Sequence, residues 1–159
     1  MGRRARVALI LLAAAFTLGA GAPPLSPEET LRRYLQAAKD GKFADAYGLI
    51  SSAMKGGKEK EVWVKEQEKL MQWADVKIFD FKVYPAKVEG EKARVPNVLQ
   101  SQDRFANQLG LTEHELYTLV KEDGAWKVDE QLLVEPPDVP KWFPEQDGEQ
   151  AAKPGPSSH

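Results

Sequence analysis

The sequence predicts an α+β fold, with three N-terminal helices packed in the concave face of a curved antiparallel sheet. Three observations carry that expectation. Between residues 26 and 74 apolar side chains recur every three or four positions, and after Asp75 they recur every second position. Two glycine turns, Gly90-Glu91 and Asp123-Gly124, each lie between alternating runs, as antiparallel hairpins require. Strands never alternate with helices along the chain, which excludes the parallel doubly wound folds.

The first helix opens at Ser26, with Pro27 next and Glu29 three positions on, an arrangement in which side chains satisfy the unpaired amides of a helix start. Leu31, Tyr34, Leu35 and Ala38 form its buried stripe, and Asp40-Gly41 stops it. A second helix is expected over residues 43–51, with Phe43, Ala46, Tyr47 and Ile50 on its stripe. Gly56-Gly57 breaks the chain, and a third helix over residues 60–74 sets Trp63, Leu70, Trp73 and Ala74 on one side.

In the first strand Phe79, Phe81 and Val83 share a face, with Asp80 and Lys82 on the other. Pro85 ends it. Residues 87–89 and 92–99 form a hairpin about Gly90-Glu91, with Ala93, Val95 and Leu99 on one side, and Pro96 suggests an edge position or a bulge. Residues 114–121 and 125–134 form the last hairpin, folded back across Glu122, Asp123 and Gly124, with Trp126 and Val128 facing in.

Both ends read differently from the middle. Arg3, Arg4 and Arg6 precede an uncharged apolar run that closes on Ala20-Gly21-Ala22, the grammar of a secretory signal cleaved after Ala22. The expectation is a signal peptide over residues 1–22, a domain over 23–135 and a proline-rich disordered tail over 136–159. Within the tail Val139, Trp142 and Phe143 are expected to dock back on the domain, binding a partner's groove being the alternative. The export signal serves periplasm and extracellular space alike, and an uncleaved leader would tether the protein to a membrane. After cleavage no stretch is long enough to span a bilayer.

Removing the leader leaves 19 basic against 24 acidic side chains, a net charge of −5, which argues against nucleic acid as partner. The chain has no cysteine, so it has no disulfide, thiolate nucleophile or thiolate metal ligand. His114 is the sole histidine of the domain and stands between Glu113 and Glu115, where a solvated imidazole is expected. Neither HExxH, the calcium-loop pattern, GxSxG, GxGxxG nor a Walker glycine pattern occurs, so no metal, cofactor or catalytic residue is assigned.

The stretches SPEETLRRYLQAAKDGKFADAYGLIS, GEKARV and LVKEDGAWKVD, with the tryptophan-bearing helix between the first two, resemble small exported bacterial domains of the nuclear transport factor two-like superfamily over residues 26–133. The resemblance implies a cone-shaped domain whose bent sheet wraps around helices and leaves a pocket at the wide end. It implies no one reaction, because the scaffold serves isomerases, dehydratases, polyketide cyclases, binding modules and protein-interaction domains. Its enzymes typically use an Asp base inside the cone.

Polar pocket candidates are few. Glu66 and Gln67 fall at the border of the third helix's stripe, where long side chains keep their heads in water or reach a pocket wall. Asn97 alternates with Val95 and Leu99 and faces inward unless Pro96 makes a bulge. Asp80 faces away from Phe79 and Phe81 and is expected in solvent. Tyr34, Trp63, Trp73, Tyr117 and Trp126 either line an amphipathic pocket or fill the core. The leading expectation is a non-enzymatic exported module that binds a small apolar ligand, or a protein or peptide partner, through its pocket or sheet face. The alternatives are an isomerase, cyclase or dehydratase with a carboxylate in the cone, or a module that dimerises through Ile78, Tyr84 and Leu119 on the sheet. An inward carboxylate or His without an ion-pair partner would favour catalysis, and an apolar lining would favour binding.

Overall fold

The computed structural model describes residues 22–144, so the expected leader and the end of the tail lie outside the described residues except at Ala22. Helix α1 (Pro27–Lys39) starts as its sequence dictates: the Ser26 hydroxyl accepts from the Glu29 amide at 3.1 Å, and the Thr30 hydroxyl donates to the Ser26 carbonyl at 2.9 Å. Leu31 and Leu35 are buried, with Tyr34 and Ala38 packed beside them. Helix α2 (Phe43–Tyr47) is shorter than the stripe suggests and stops at Gly48. The chain then extends along the sheet: the Ser51 amide donates to the Val128 carbonyl, and the Val128 amide to the Leu49 carbonyl, both at 2.8 Å. This pairing carries Ile50 into the core, which the helical stripe ascribed to a continuing helix. Ser51 next caps a short helix α3 (Ser52–Lys55), accepting from the Met54 amide at 3.0 Å.

Helix α4 (Lys60–Ala74) turns a different face inward from the one expected. Trp63 is buried, with Val64 and Met71 packed beside the core, whereas Leu70 and Trp73 are exposed. The inward row runs from Trp63 through Gln67 to Met71 at four-residue spacing, and Leu70 and Trp73 lie on its outer flank.

The sheet comprises β1 (Lys77–Val83), β2 (Lys87–Glu89), β3 (Lys92–Gln102), β4 (Thr112–Glu122) and β5 (Ala125–Leu133), all antiparallel in the order β1-β3-β4-β5, with β2 also on β3. Gly90 has φ +62°, while Asp123 and Gly124 have φ +50° and +78°, the backbone twist that joins two strands through two residues. A register shift between Ile78 and Asp80 leaves Phe79 unpaired and exposed, so it does not share the inner face with Phe81 and Val83.

Pro96 is neither at an edge nor in a bulge: its pairing with Leu116 sits in an unbroken β3–β4 register. Its carbonyl accepts from the Tyr84 amide at 2.9 Å, in the gap where the chain passes from β1 to β2. The donor that proline lacks would point into that same gap, so no ladder bond is lost.

The inner face of the sheet presents Ala93, Val95, Tyr117, Leu119 and Val128 to Leu31, Leu35, Phe43 and Trp63, which together form the main core. On the outer face Phe143 is buried against Tyr84 and Val98, with Val134, Val139 and Trp142 around it. Phe143 arrives there through a 3-10 turn (Pro136–Asp138) and helix α5 (Val139–Trp142). The expected docking of Val139, Trp142 and Phe143 is therefore present, and ordered packing runs past residue 135 to this segment. The same segment alters the expected dimer face. Tyr84 is covered, Leu119 is buried in the core and Ile78 is half-buried, so the three residues present no exposed apolar face.

Candidate functional site

The described residues place chemistry at two locations, a buried polar cluster on the inner face of the sheet and an exposed apolar rim at one end. The cluster centres on Glu115, which is 1 % exposed and paired across the ladder with Asn97. Asn97 Nδ2 donates to Glu115 Oε2 at 2.8 Å, and Gln131 Nε2 donates to Oε1. The ion pairs among the described residues do not include Glu115. Burial pushes its carboxyl above the ordinary value of 4.5, against the lowering effect of the Asn97 and Gln131 amides. Burial and the neighbouring Glu115 charge push the Tyr34 phenol up to about 12 and the Tyr117 phenol well above its usual range. The Tyr34 and Tyr117 rings meet edge to face at 6.3 Å. Asn97 Oδ1 is buried and accepts no hydrogen bond among the described residues.

Of the residues singled out from the sequence, Tyr34, Asn97 and Tyr117 meet in this cluster. Trp63 packs in the core with its ring 5.7 Å from Tyr47, and Trp126 lies half-buried at the core's edge under the Lys121 ammonium. Gln67 is half-buried. Glu66 is exposed and paired with Lys58, away from the interior. Trp73 is 63 % exposed. Asp80 is exposed, as its alternation requires. His114 departs from the solvated reading: it is half-buried on the outer face, its ring 4.8 Å from that of Phe143. Glu115 was missed, although its alternation with Tyr117 and Leu119 was a sufficient signal that it faces inward.

The rim is built on the loop 103–111 between β3 and β4. Asn107 is buried at its centre, donating to the carbonyls of Ser101 at 2.7 Å and Leu111 at 3.0 Å and accepting from the Leu111 amide at 2.7 Å. Asp103 accepts from the amides of Phe105 and Ala106 at 2.6 and 2.7 Å, and the Arg104 amide donates to the Ala74 carbonyl at the end of α4. The backbone of this loop is well tied, yet it displays Phe105, Leu109 at 85 % exposure, and Leu111. On one flank Phe105 stacks on Trp73 with ring centroids 4.6 Å apart. On the other, the Phe79 ring lies against the turn at Gly110.

A groove of about 570 Å³ lies between the β4–β5 edge and the C-terminal segment, lined by residues including Glu113, His114, Val134 and Val139. It is not the interior of the cone, where Val95, Asn97, Glu115 and Tyr117 fill the space with side chains at most 2 % exposed.

No protein-family model and no curated protein matches the chain. Solved structures do match. A SEC-C motif-containing protein from Rhodopseudomonas palustris superposes with a TM-score of 0.54 at 17% identity, over 69% of this chain and 80% of that one. A Nostoc punctiforme domain of unknown function with a cystatin-like fold gives 0.50 at 12% identity, over 77% and 83%. A candidate ketosteroid isomerase from Shewanella frigidimarina gives 0.50 at 15% identity, over 69% and 95%. At such identities the likeness bears on the fold alone, an α+β domain whose N-terminal helices pack on a curved antiparallel sheet in a cone-like architecture. Proteins with that fold include both ligand-binding domains and enzymes of the isomerase and dehydratase kind.

Proposed function

We propose that this protein is an exported, non-enzymatic binding module that takes the apolar surface of a protein or peptide partner at the rim formed by the loop 103–111 and the end of α4. One observation carries the reading: a loop held by a dense set of hydrogen bonds displays large apolar side chains in water, stacked against a tryptophan that α4 also leaves exposed. Exposed apolar residues grouped in this way cost solubility and mark interaction sites. A small apolar ligand is the weaker occupant, because such ligands bind in enclosed hollows and the rim's apolar side chains stand exposed. Export rests on the leader's sequence; among the described residues no helix is long and apolar enough to cross a membrane.

A photoreactive phenylalanine analogue at Leu109, expressed in the native host, tests the reading against the same probe at exposed Lys58. A discrete adduct is expected at position 109 alone, and it should disappear on Trp73→Ala with Phe105→Ala. Equal labelling at both positions, or an adduct indifferent to those substitutions, would overturn it.

A second reading, an isomerase, cyclase or dehydratase using Glu115, is favoured by a buried carboxyl without an ion-pair partner among the described residues and by the free acceptor on Asn97. Against it, both Glu115 oxygens are engaged by amides and the group is closed off from substrate.

A further inference from the structure

We propose that the outer face of the β2–β3 hairpin, with α5, forms a binding site for an amphiphilic phosphate, a phosphate monoester carrying an apolar body. The site is separate from the rim and does not depend on the reading given for it. Lys87, Lys92, Arg94 and Lys141 surround a hollow of about 200 Å³ with Trp142 as one wall and Glu89 as the lone carboxylate. None of the four cations forms an ion pair among the described residues. This concentration runs against the chain as a whole, whose net charge is −2 even with the leader counted.

The placement carries an energetic cost. Lys87 lies directly opposite Arg94 in the β2–β3 ladder, and like charges so placed repel, whereas Glu89 lies opposite Lys92 and offsets that charge alone. Phe143 anchors α5 on the outer face, and this brings Lys141 to the same place as a further positive charge. Lys87 and Lys141 both sit over the Trp142 ring, at 4.4 and 5.2 Å from its centroid, so the ring holds two ammonium groups at the mouth of the hollow. A dianion relieves this repulsion, and the Arg94 guanidinium offers the two parallel donors that phosphate oxygens accept.

A second hollow of about 270 Å³ adjoins the first. It shares Lys87, Lys141 and Trp142 and adds Tyr84, Pro85, Pro96 and Pro144, an apolar lining. A phosphate head in the basic hollow therefore has a neighbouring place for an apolar body, with Trp142 between the two.

Titration calorimetry on the full chain with dihexanoyl phosphatidic acid below its micelle concentration, and with inorganic phosphate, tests the proposal. Co-sedimentation with phosphatidylcholine vesicles with and without phosphatidic acid distinguishes a bilayer source from a free one. The expected result is saturable binding of the short-chain lipid, tighter than inorganic phosphate, or sedimentation only with the acidic vesicles. Lys87→Gln with Arg94→Gln is expected to weaken either by about tenfold or more. Those substitutions remove a repulsion, so the unliganded thermal midpoint should hold or rise, which separates lost binding from lost folding. Absence of binding in both arms, equal affinity for inorganic phosphate and the lipid, or binding unchanged in the double variant would overturn the proposal.

Discussion

The two faces of the sheet are closed in different ways. The inner face is sealed by α1, α2 and α4 through a dozen buried side chains drawn from every layer of the fold, and the outer face is covered locally by one C-terminal segment anchored on Phe143. The inner seal is cooperative, since a residue such as Leu31 cannot leave without opening the domain. The outer seal is local, and the segment that makes it is expected to lift away while the rest stays folded.

Paired truncations measure that difference. Leu31→Ala should cost about 2–5 kcal/mol in denaturant unfolding, because a fully buried leucine leaves a cavity its neighbours cannot fill. Phe143→Ala should cost less, about 1–3 kcal/mol, since a segment that undocks leaves no enclosed cavity and forfeits only the burial of the ring. Hydrogen exchange at the Phe143 amide, which donates to the Val139 carbonyl at 2.8 Å, should then rise sharply while amides of β4 stay protected. Loss of protection in both places at once would show that the two seals are one cooperative unit.

The inner face differs from a plain core in holding Glu115, and pH exposes that difference. A carboxyl whose folded pKa lies above its ordinary 4.5 contributes no penalty below that value and an increasing one as pH rises through the folded pKa. In Glu115→Gln this component is absent. The variant should be less stable than the wild type by about 1 kcal/mol in acid, where its amide meets the Asn97 donor, and the deficit should shrink as pH rises above 4.5. Taking the difference between the two proteins cancels the opposite trend from Glu122, whose carboxyl is held low chiefly by the Ser52 amide. A pH-independent difference would mean that the Glu115 carboxyl is not perturbed by its burial.

Much of this architecture was legible in the sequence. Ser26 with Glu29, Gly90, and Asp123-Gly124 act within a few residues of themselves, the first through its hydroxyl and the others through their backbones, so their turns and caps needed no knowledge of the rest of the molecule. What escaped depended on partners far along the chain. Ile50 left the helical stripe because Leu49 and Ser51 found Val128, and a bulge at Phe79 reversed the alternation that had placed its ring inside. The rim escaped for a related reason. Apolar residues in a loop carry no period, and their display follows from the hydrogen bonds of Asn107 and Asp103. The site residues split along the same line: Asn97 and Tyr117 followed strand alternation inward, while Trp73 and Glu66 depended on which side of α4 the sheet would meet.

That last dependence yields the smallest expected effect. Glu66 and Gln67 are adjacent on α4, yet Gln67 lies in the row that turns inward from Trp63 to Met71 and Glu66 stands in solvent. The Glu66 pairing with Lys58 joins two half-exposed side chains, a geometry whose Coulomb gain is nearly cancelled by screening and lost side-chain freedom. Glu66→Ala should therefore change unfolding stability by no more than about 0.5 kcal/mol, because alanine's higher helix propensity offsets what the pair contributes. It should also leave partner capture at Leu109 unchanged. Gln67→Ala, by contrast, removes packed methylenes beside the core and should cost about 1 kcal/mol. If the order were reversed, with Glu66 the more sensitive of the two, the inward face of α4 would be the one through Leu70 and Trp73. The apolar rim would then be a buried surface.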